Sequence, residues 1–297
     1  MSGPGRPRWA VVVVNYEAGE LLAACIRSIL SDTSADTPEV VVVDNGSSDG
    51  STDLLRGDSS VTVVDPGRNL GYAGAANLGI ARTTADVVAV CNPDVHVSPG
   101  TAAAMLRRLA DEPDLGAVGP MIREVDGSHY PSARSVPSVG DAVGHGLLGL
   151  VKRDNRFTRR YRELDADPTQ ARDVDWVSGA AIWLRRGAVD AIGGWDDGYF
   201  MYVEDVDLCW RLRRAGWRVA YEPEGEVTHV HGASTARRPY RMIAEHNRSL
   251  LRFAGKRWRG WRRVLLAPAA LYLGARAGLA MLVHAVRPRS GSAGRSG

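Results

Sequence analysis

Apolar residues gather along this chain in short, solid runs separated by polar turns. WAVVVVNY (residues 9–16) has no polar alternation and reads as a strand buried on both faces, and LLAACIRSIL (21–30) follows with helical spacing. EVVVVDNG (39–46) and VTVVDPG (61–67) repeat the strand pattern, GYAGAANLGIARTT (71–84) suits a short helix, and DVVAVCNPD (86–94) is a fourth strand ending in polar residues. Strands alternating with helices in this way predict an α/β fold, with a mostly parallel, Rossmann-like central sheet and helices on both faces. In such a fold ligands bind beyond the carboxyl ends of the strands.

The texture changes at residue 126. Up to residue 175 the chain is polar, Pro/Gly-punctuated and weakly periodic, as expected of a mobile insert flanking a cleft. WVSGAAIWLRR (176–186) returns to strand character, and YFMYVEDVDLCWRLRRAGW (199–217) opens a helix with three acids at its entry. Acids in a first helical turn ordinarily cap it and suit the positive end of its dipole. Spacing separates these three: Asp205 stands at the tip of the stripe Asp205, Leu208, Leu212 and Ala215, which should face the interior. Asp207, Arg211 and Arg214 form a different stripe that suits solvated ion pairs.

The C-terminal apolar stretch, residues 264–286, is long enough to span a bilayer but is interrupted by Pro268, Arg276 and His284. With KRWRGWRR (256–263) before it, it reads as interfacial helices with Trp258 and Trp261 at the headgroup level. A helical hairpin packed on the domain and a true span are the alternatives.

Composition refines this picture only locally. The 297 residues, 44% of them hydrophobic, are enough for one large or two modest cores. The formal charge is +3, yet residues 237–263 hold ten Lys/Arg against the single Glu245, a local +9 that leaves −6 for the rest. Basicity is therefore a patch, and its tryptophans with the apolar run behind it favour a membrane surface over nucleic acid. Cys25, Cys91 and Cys209 are odd in number and widely spaced, which fits neither a disulfide framework nor a zinc site and suggests a reducing cytosol. Residues 9–14 are too short for a signal-peptide core. The expected organisation is a disordered leader (1–8), an α/β domain (9–236) with the insert at 126–175, a basic helical segment (237–289) and a disordered tail (290–297).

Candidate chemistry lies at the strand ends. Asp44 and Asn45 leave the second strand in DNGSSDG, where a carboxylate can accept hydrogen bonds from a base imide or ribose hydroxyls, although the same residues also read as a turn. Asn69, Gly71, Tyr72 and Asn77 belong to a glycine-bearing loop running into a helix. Asn92 and Asp94 flank Pro93, and their oxygens suit Mg²⁺ or Mn²⁺, or else an Asx turn. His229 and His231, two apart on a strand, face one side.

Taken in order, VVVVDNGSSDG, NLGYAGAANLG, NPDV, VSGAAIWLRR, GGWDDGYFMYVEDVDLCWRLRRAGW and HVHGAST resemble the family 2 glycosyltransferases, inverting enzymes of the GT-A fold, over residues 9–235. DGSHYPSAR and YFMYVEDVDL are most similar to members that transfer L-rhamnose from dTDP-rhamnose to lipid-linked N-acetylglucosaminyl diphosphate. The resemblance implies a donor pocket lined by Asn15, Tyr16, Asp44, Asn45, Asn69, Gly71, Asn92 and Gly179, and a divalent cation, Mg²⁺ or Mn²⁺, held by Asp94 with His229. Asn92 here replaces the first acid of the usual D-x-D. It further implies Asp205 as catalytic base beside Glu204; the position of the insert beside the cleft, and not the resemblance, puts Tyr130, Arg134 and Trp176 on the acceptor side. The implied partners are a nucleotide-sugar donor, a lipid-linked saccharide and the inner leaflet of the cytoplasmic membrane, with the protein cytoplasmic and peripherally attached. A UDP- or GDP-sugar donor, or a non-catalytic sugar-nucleotide scaffold, are the competing expectations.

Overall fold

The computed structural model describes residues 8–136, 159, 163, 165–230 and 239–286. The chain forms two compact units, Met1–Arg237 and Arg238–Gly297. Residues 1–7 of the expected leader and the expected tail fall outside the described residues, as do the middle of the 126–175 insert and His231.

The first unit is built on one mixed, mostly parallel sheet, ordered β3-β2-β1-β4-β11-β6-β12-β5. The strands are β1 (Trp9–Asn15), β2 (Glu39–Asp44), β3 (Val61–Val64), β4 (Val87–Cys91), β5 (Val95–Val97), β6 (Leu115–Arg123), β11 (Ala181–Arg185) and β12 (Arg218–His229). Two-residue strands β7 (His129–Tyr130) and β9 (Arg172–Asp173) pair with β6 and β12, and β8 (Ala133–Arg134) pairs with β10 (Trp176–Val177) in a separate ribbon. β1 to β4, β6 and β12 run one way, while β11 lies antiparallel between β4 and β6. The sheet is thus less uniformly parallel than the hydrophobic runs imply. Periodicity marks a strand as buried but carries no information on its direction.

Every residue of β1 is buried, and alternate positions supply two different cores. Val11 and Val13 pack with Leu22, Cys25, Ile26 and Ile29 of α1 (Glu20–Ser31), whereas Val12 and Val14 pack with Ala73, Ala76 and Ile80 of α2 (Gly71–Ile80). α3 (Thr101–Asp111) is tied to the end of α1 by Asp32, whose carboxylate accepts the N–H groups of Gly100 and Ala102 at 3.0 and 2.9 Å. These bonds satisfy donors that the helix itself leaves open. A short helix α4 (Arg186–Ala191) leads to α5 (Glu204–Arg214), which carries the acidic pair.

The second unit is helical: α6 (Pro239–Arg257), a 3-10 turn (Gly260–Leu265) and α7 (Leu266–Val286). Among the described residues no helix is long and apolar enough to cross a membrane. The Asn247 amide donates to the Leu273 carbonyl at 3.4 Å, so α6 and α7 meet. Trp261, Val264 and Leu271 are exposed on this unit beside Arg262 and Arg263.

Candidate active site

Asn15 and Asp44 stand opposite each other at the ends of β1 and β2. Asn15 is wholly buried. Its Nδ2 donates to Asp44 Oδ1 at 3.1 Å, to Ser47 Oγ at 3.1 Å and to Ser51 Oγ at 2.9 Å. Asp44 Oδ1 also accepts the Ser47 N–H and hydroxyl, at 3.2 and 2.5 Å. Glu17 accepts the N–H and hydroxyl of Ser48, both at 2.8 Å, and Asp49 accepts the Gly19 N–H at 2.7 Å. The DNGSSDG loop is thereby stapled to the end of β1, beside the half-buried Tyr16.

Asn45 braces the next loop. Its Oδ1 accepts the Leu70 N–H at 2.9 Å and its Nδ2 donates to the Gly71 carbonyl at 3.0 Å, while Asn69 Oδ1 accepts the Gly71 N–H at 2.9 Å. Gly71 has φ +76°, and a Cβ there would collide with the Phe200 backbone carbonyl. That carbonyl accepts the Tyr72 N–H at 2.9 Å, and Asn77 exchanges two hydrogen bonds with the backbone of Trp195. The glycine loop therefore holds the segment that enters α5, a role its sequence pattern does not reveal.

Asn92 and Asp94 follow β4, and His229 ends β12. His229 Nε2 lies 3.1 Å from Asp94 Oδ1 and 3.2 Å from Asn92 Nδ2. The two strand ends are joined further where the Val230 N–H donates to the Asp94 carbonyl at 2.9 Å.

At the start of α5 the backbone turns through two left-handed residues, Tyr202 (φ 67°) and Val203 (φ 69°). For a β-branched valine this is an uncommon conformation that costs on the order of 1–3 kcal/mol, and such strain clusters at functional sites. No sequence signal announces it. Beyond the turn, Asp205 Oδ2 accepts the Gly179 N–H at 2.9 Å and Oδ1 its neighbour's Val206 N–H at 2.8 Å. Glu204 is buried, and its Oε2 has no hydrogen-bond partner among the described residues.

Burial, followed by the charge of Asp205, pushes the Glu204 carboxyl well above the ordinary range. Burial also raises Asp205, opposed by the Gly179 and Val206 N–H groups and by the positive charge of Arg134. Asp207 departs from its expected place on a solvated stripe. It is fully buried and takes Arg211 Nε at 2.6 Å and the Tyr199 hydroxyl at 3.2 Å. The helix packs over a wider arc than the narrow apolar stripe suggests, and Arg211 enters with its partner to bind the carbonyls of Ile192 and Gly194.

Gly179 and Ala180 join these parts. The Ala180 carbonyl accepts the Asn92 N–H at 2.9 Å, the Gly179 carbonyl accepts the Tyr72 hydroxyl at 2.5 Å, and the Gly179 N–H holds Asp205. A Cβ at Gly179 would sit 3.2 Å from that of Asp205, so the glycine lets the acid approach the backbone. Tyr72 lies within reach of both acidic groups: after burial, the charges of Cys91, Glu204, Asp205 and Asp94 all raise its phenol. The Asn92 strand end and Asp205 are thus tied to the adjacent residues Ala180 and Gly179.

Arg134 lies over two rings, 5.2 Å from the centroid of Tyr130 and 5.1 Å from that of Trp176. Its guanidinium donates to the Tyr130 hydroxyl at 2.8 Å and to the Pro131 carbonyl at 2.6 Å. Trp176 is itself buried.

Among the described residues no three His, Cys, Asp or Glu side chains gather to hold a metal ion. Asp94 and His229 supply one carboxylate oxygen and one imidazole nitrogen. Such a donor set fits Mg²⁺ or Mn²⁺ held jointly with phosphate oxygens and water, and does not fit a closed structural site.

Comparison with known proteins supplies the class. The profile "Glycosyltransferase like family 2" matches residues 7–249, and the chain belongs to that family. N-acetylglucosaminyl-diphospho-decaprenol L-rhamnosyltransferase of Mycobacterium tuberculosis is 39% identical over 268 residues, 86% of this chain and 87% of that protein. Pre-mycofactocin glycosyltransferase of the same organism is 33% identical over 67% of this chain and 39% of its own length. Among solved structures, the mannosyltransferase PcManGT of Pyrobaculum calidifontis with GDP-Man and Mn²⁺ superposes with a TM-score of 0.58 at 17% identity, over 95% of this chain and 80% of that one. GalNAc-T7 with UDP, GalNAc and Mn²⁺ gives 0.57 at 14% identity, over 76% and 44%. These two structures establish the GT-A fold.

Proposed function

We propose that the protein is an inverting rhamnosyltransferase that moves L-rhamnose from dTDP-rhamnose to a polyprenyl-diphosphate-linked N-acetylglucosamine in cell-wall synthesis. The 39% identity to the mycobacterial rhamnosyltransferase, sustained over 86% of the chain, carries this reading. Asp44, fixed by Asn15 and Ser47, is the nucleotide contact, and the Asn45, Asn69 and Gly71 loop lines the donor pocket.

Inversion needs one displacement at the anomeric carbon. The acceptor oxygen bonds to that carbon as the bond to the nucleoside diphosphate breaks on the opposite face, and the hydroxyl proton passes to Asp205. One carboxylate suffices, and its burial makes it a stronger base; a group in this role contributes on the order of 10²- to 10⁴-fold. Tyr130 and Arg134 meet the acceptor. A divalent cation held by Asp94 and His229 would neutralise charge on the departing diphosphate.

The second unit supports attachment to an anionic membrane surface, where a lipid-linked acceptor resides. Exposed Trp261, Val264 and Leu271 beside Arg259, Arg262 and Arg263 are the apolar-plus-cationic combination that such a surface takes. Sedimentation with anionic liposomes is the expected result; strong DNA binding without lipid binding would overturn the attachment.

The deciding experiment is a donor screen of dTDP-rhamnose against UDP- and GDP-sugars on a prenyl-diphosphate N-acetylglucosamine acceptor. Transfer is expected with dTDP-rhamnose alone. Asp205→Asn should abolish transfer while donor binding persists. Preference for another donor would refute the rhamnosyl assignment, and donor binding without turnover on any acceptor would mark a non-catalytic scaffold.

A further inference from the structure

We infer that Tyr72 is a positioning residue for the base: its phenol hydroxyl holds the Gly179 carbonyl, and this keeps the Gly179 amide on Asp205. The inference rests on Asp205 being the base, and it adds what fixes that carboxylate from the side of α2.

Tyr72 reaches the acidic segment by two arms. The first is its backbone. The opening N–H groups of a helix have no partner within it, and that of Tyr72 donates to the Phe200 carbonyl at 2.9 Å. Phe200 precedes Tyr202 and Val203, the left-handed pair that leads into α5, so this arm holds the approach to the strained turn. The second arm is the side chain. The hydroxyl donates to the Gly179 carbonyl at 2.5 Å, and the N–H of the same glycine donates to Asp205 Oδ2 at 2.9 Å.

The second arm matters because the residue it holds is a glycine, whose dihedrals are the least restrained of any residue. The peptide between Gly179 and Ala180 is pinned at both ends, its oxygen by Tyr72 and its N–H by Ser178 Oγ at 3.3 Å. Ser178 is held in turn, its N–H donating to the Ser132 carbonyl at 2.8 Å. Release of the carbonyl leaves one of those two pins, and rotation about Gly179 then carries its amide off the carboxylate.

Tyr72 is built for this task and not for contact with a ligand. It is buried, and its ring meets that of Trp195 edge to face, with centroids 5.7 Å apart and planes at 71°. Asn77, further along α2, clasps the Trp195 backbone through hydrogen bonds of 2.8 and 2.9 Å, so the ring that aims the phenol is itself fixed to the same helix. Burial first, and the neighbouring charges after it, hold the phenol protonated, and it remains a donor.

The test compares the single-turnover rate of transfer with the donor Kd on the full chain, using dTDP-rhamnose or the donor that the screen selects in its place. Tyr72→Phe keeps the ring on Trp195 and the N–H on Phe200 and loses only the hydroxyl. It should slow transfer about tenfold while the donor Kd stays within about twofold, since displacing a reacting group is costly even where binding is intact. A merely structural role would instead weaken donor binding and lower the melting temperature along with the rate. Trp195→Phe, whose indole N–H has no hydrogen-bond partner to lose among the described residues, loosens the aim of the phenol and should slow transfer less, by about threefold, again with donor Kd unchanged. It decides the matter should Tyr72→Phe fail to fold. A parental transfer rate in Tyr72→Phe, or in Trp195→Phe where that variant decides, would overturn the inference, as would a donor Kd that weakens as much as the rate falls. If Asp205→Asn is dead while Tyr72→Phe transfers at the parental rate, only this inference falls; if Asp205→Asn transfers normally, the base assignment falls with it.

Discussion

Asp44 and Asp205 both stand beyond the carboxyl end of the sheet, but the molecule holds them in contrasting ways. Around Asp44 the backbone and small polar side chains converge on one oxygen, and the loop that follows is stapled to β1 by Glu17 and Asp49 as well. Around Asp205 the carboxyl is raised by burial, its neighbour Glu204 has an unpartnered oxygen, and the chain enters through two strained residues. A group that binds gains from a satisfied, rigid charge. A group that takes a proton gains from being short of solvation, because a well-solvated carboxylate is a weak base. On the proposed roles, the contrast separates donor binding from proton transfer.

Several substitutions break or sharpen that contrast. The largest effect on stability belongs to Asp207→Ala, which strands Arg211 beneath α5 and should cost about 3–5 kcal/mol in denaturant unfolding, far above the cost expected of a solvated pair. Next comes Gly71→Ala, where the left-handed backbone and the collision with Phe200 should cost about 1–3 kcal/mol. Because Phe200 leads into the acidic turn, kcat should fall more than donor affinity, which single-turnover kinetics with donor titration will separate. Ser47→Ala removes the hydroxyl bond on Asp44, together with the bonds that Ser47 Oγ accepts from Asn15 and the Glu17 N–H, and should raise the donor KM by a few fold, about 0.5–1.5 kcal/mol, with kcat almost unchanged.

The smallest effect should have the opposite sign. The Glu204 carboxyl is raised in the folded chain, so its contribution to stability is fully present below the ordinary glutamate range and is lost as pH rises towards the raised value. Glu204→Gln avoids that loss. Its melting temperature should match the parent in acid and exceed it increasingly towards neutral pH, and a parent that melts higher throughout would refute the neutral carboxyl.

Much of the Asp44 side was legible in advance. Solid valine runs predict β1, β2 and β4, and the residues after them predict where ligands bind, since a buried strand must end at the sheet's edge. The Asp205 side was legible only in part. Helical spacing places Asp205 towards the protein interior, but the same spacing puts Asp207 in solvent, where the structure buries it with Arg211. The direction of β11, the left-handed Val203 and the aromatic clamp on Arg134 leave no periodic trace.

By itself, then, the amino-acid order determined the family, the alternation of strands and helices and the identity of the acids, because these follow from local pattern and short motifs. Tertiary structure alone decided that Asp205 takes the Gly179 N–H while the Glu204 oxygen beside it is buried without a hydrogen-bond partner among the described residues. Those outcomes depend on burial and on contacts from groups distant along the chain, and such contacts exist only once the sheet and its ribbon have brought the groups together.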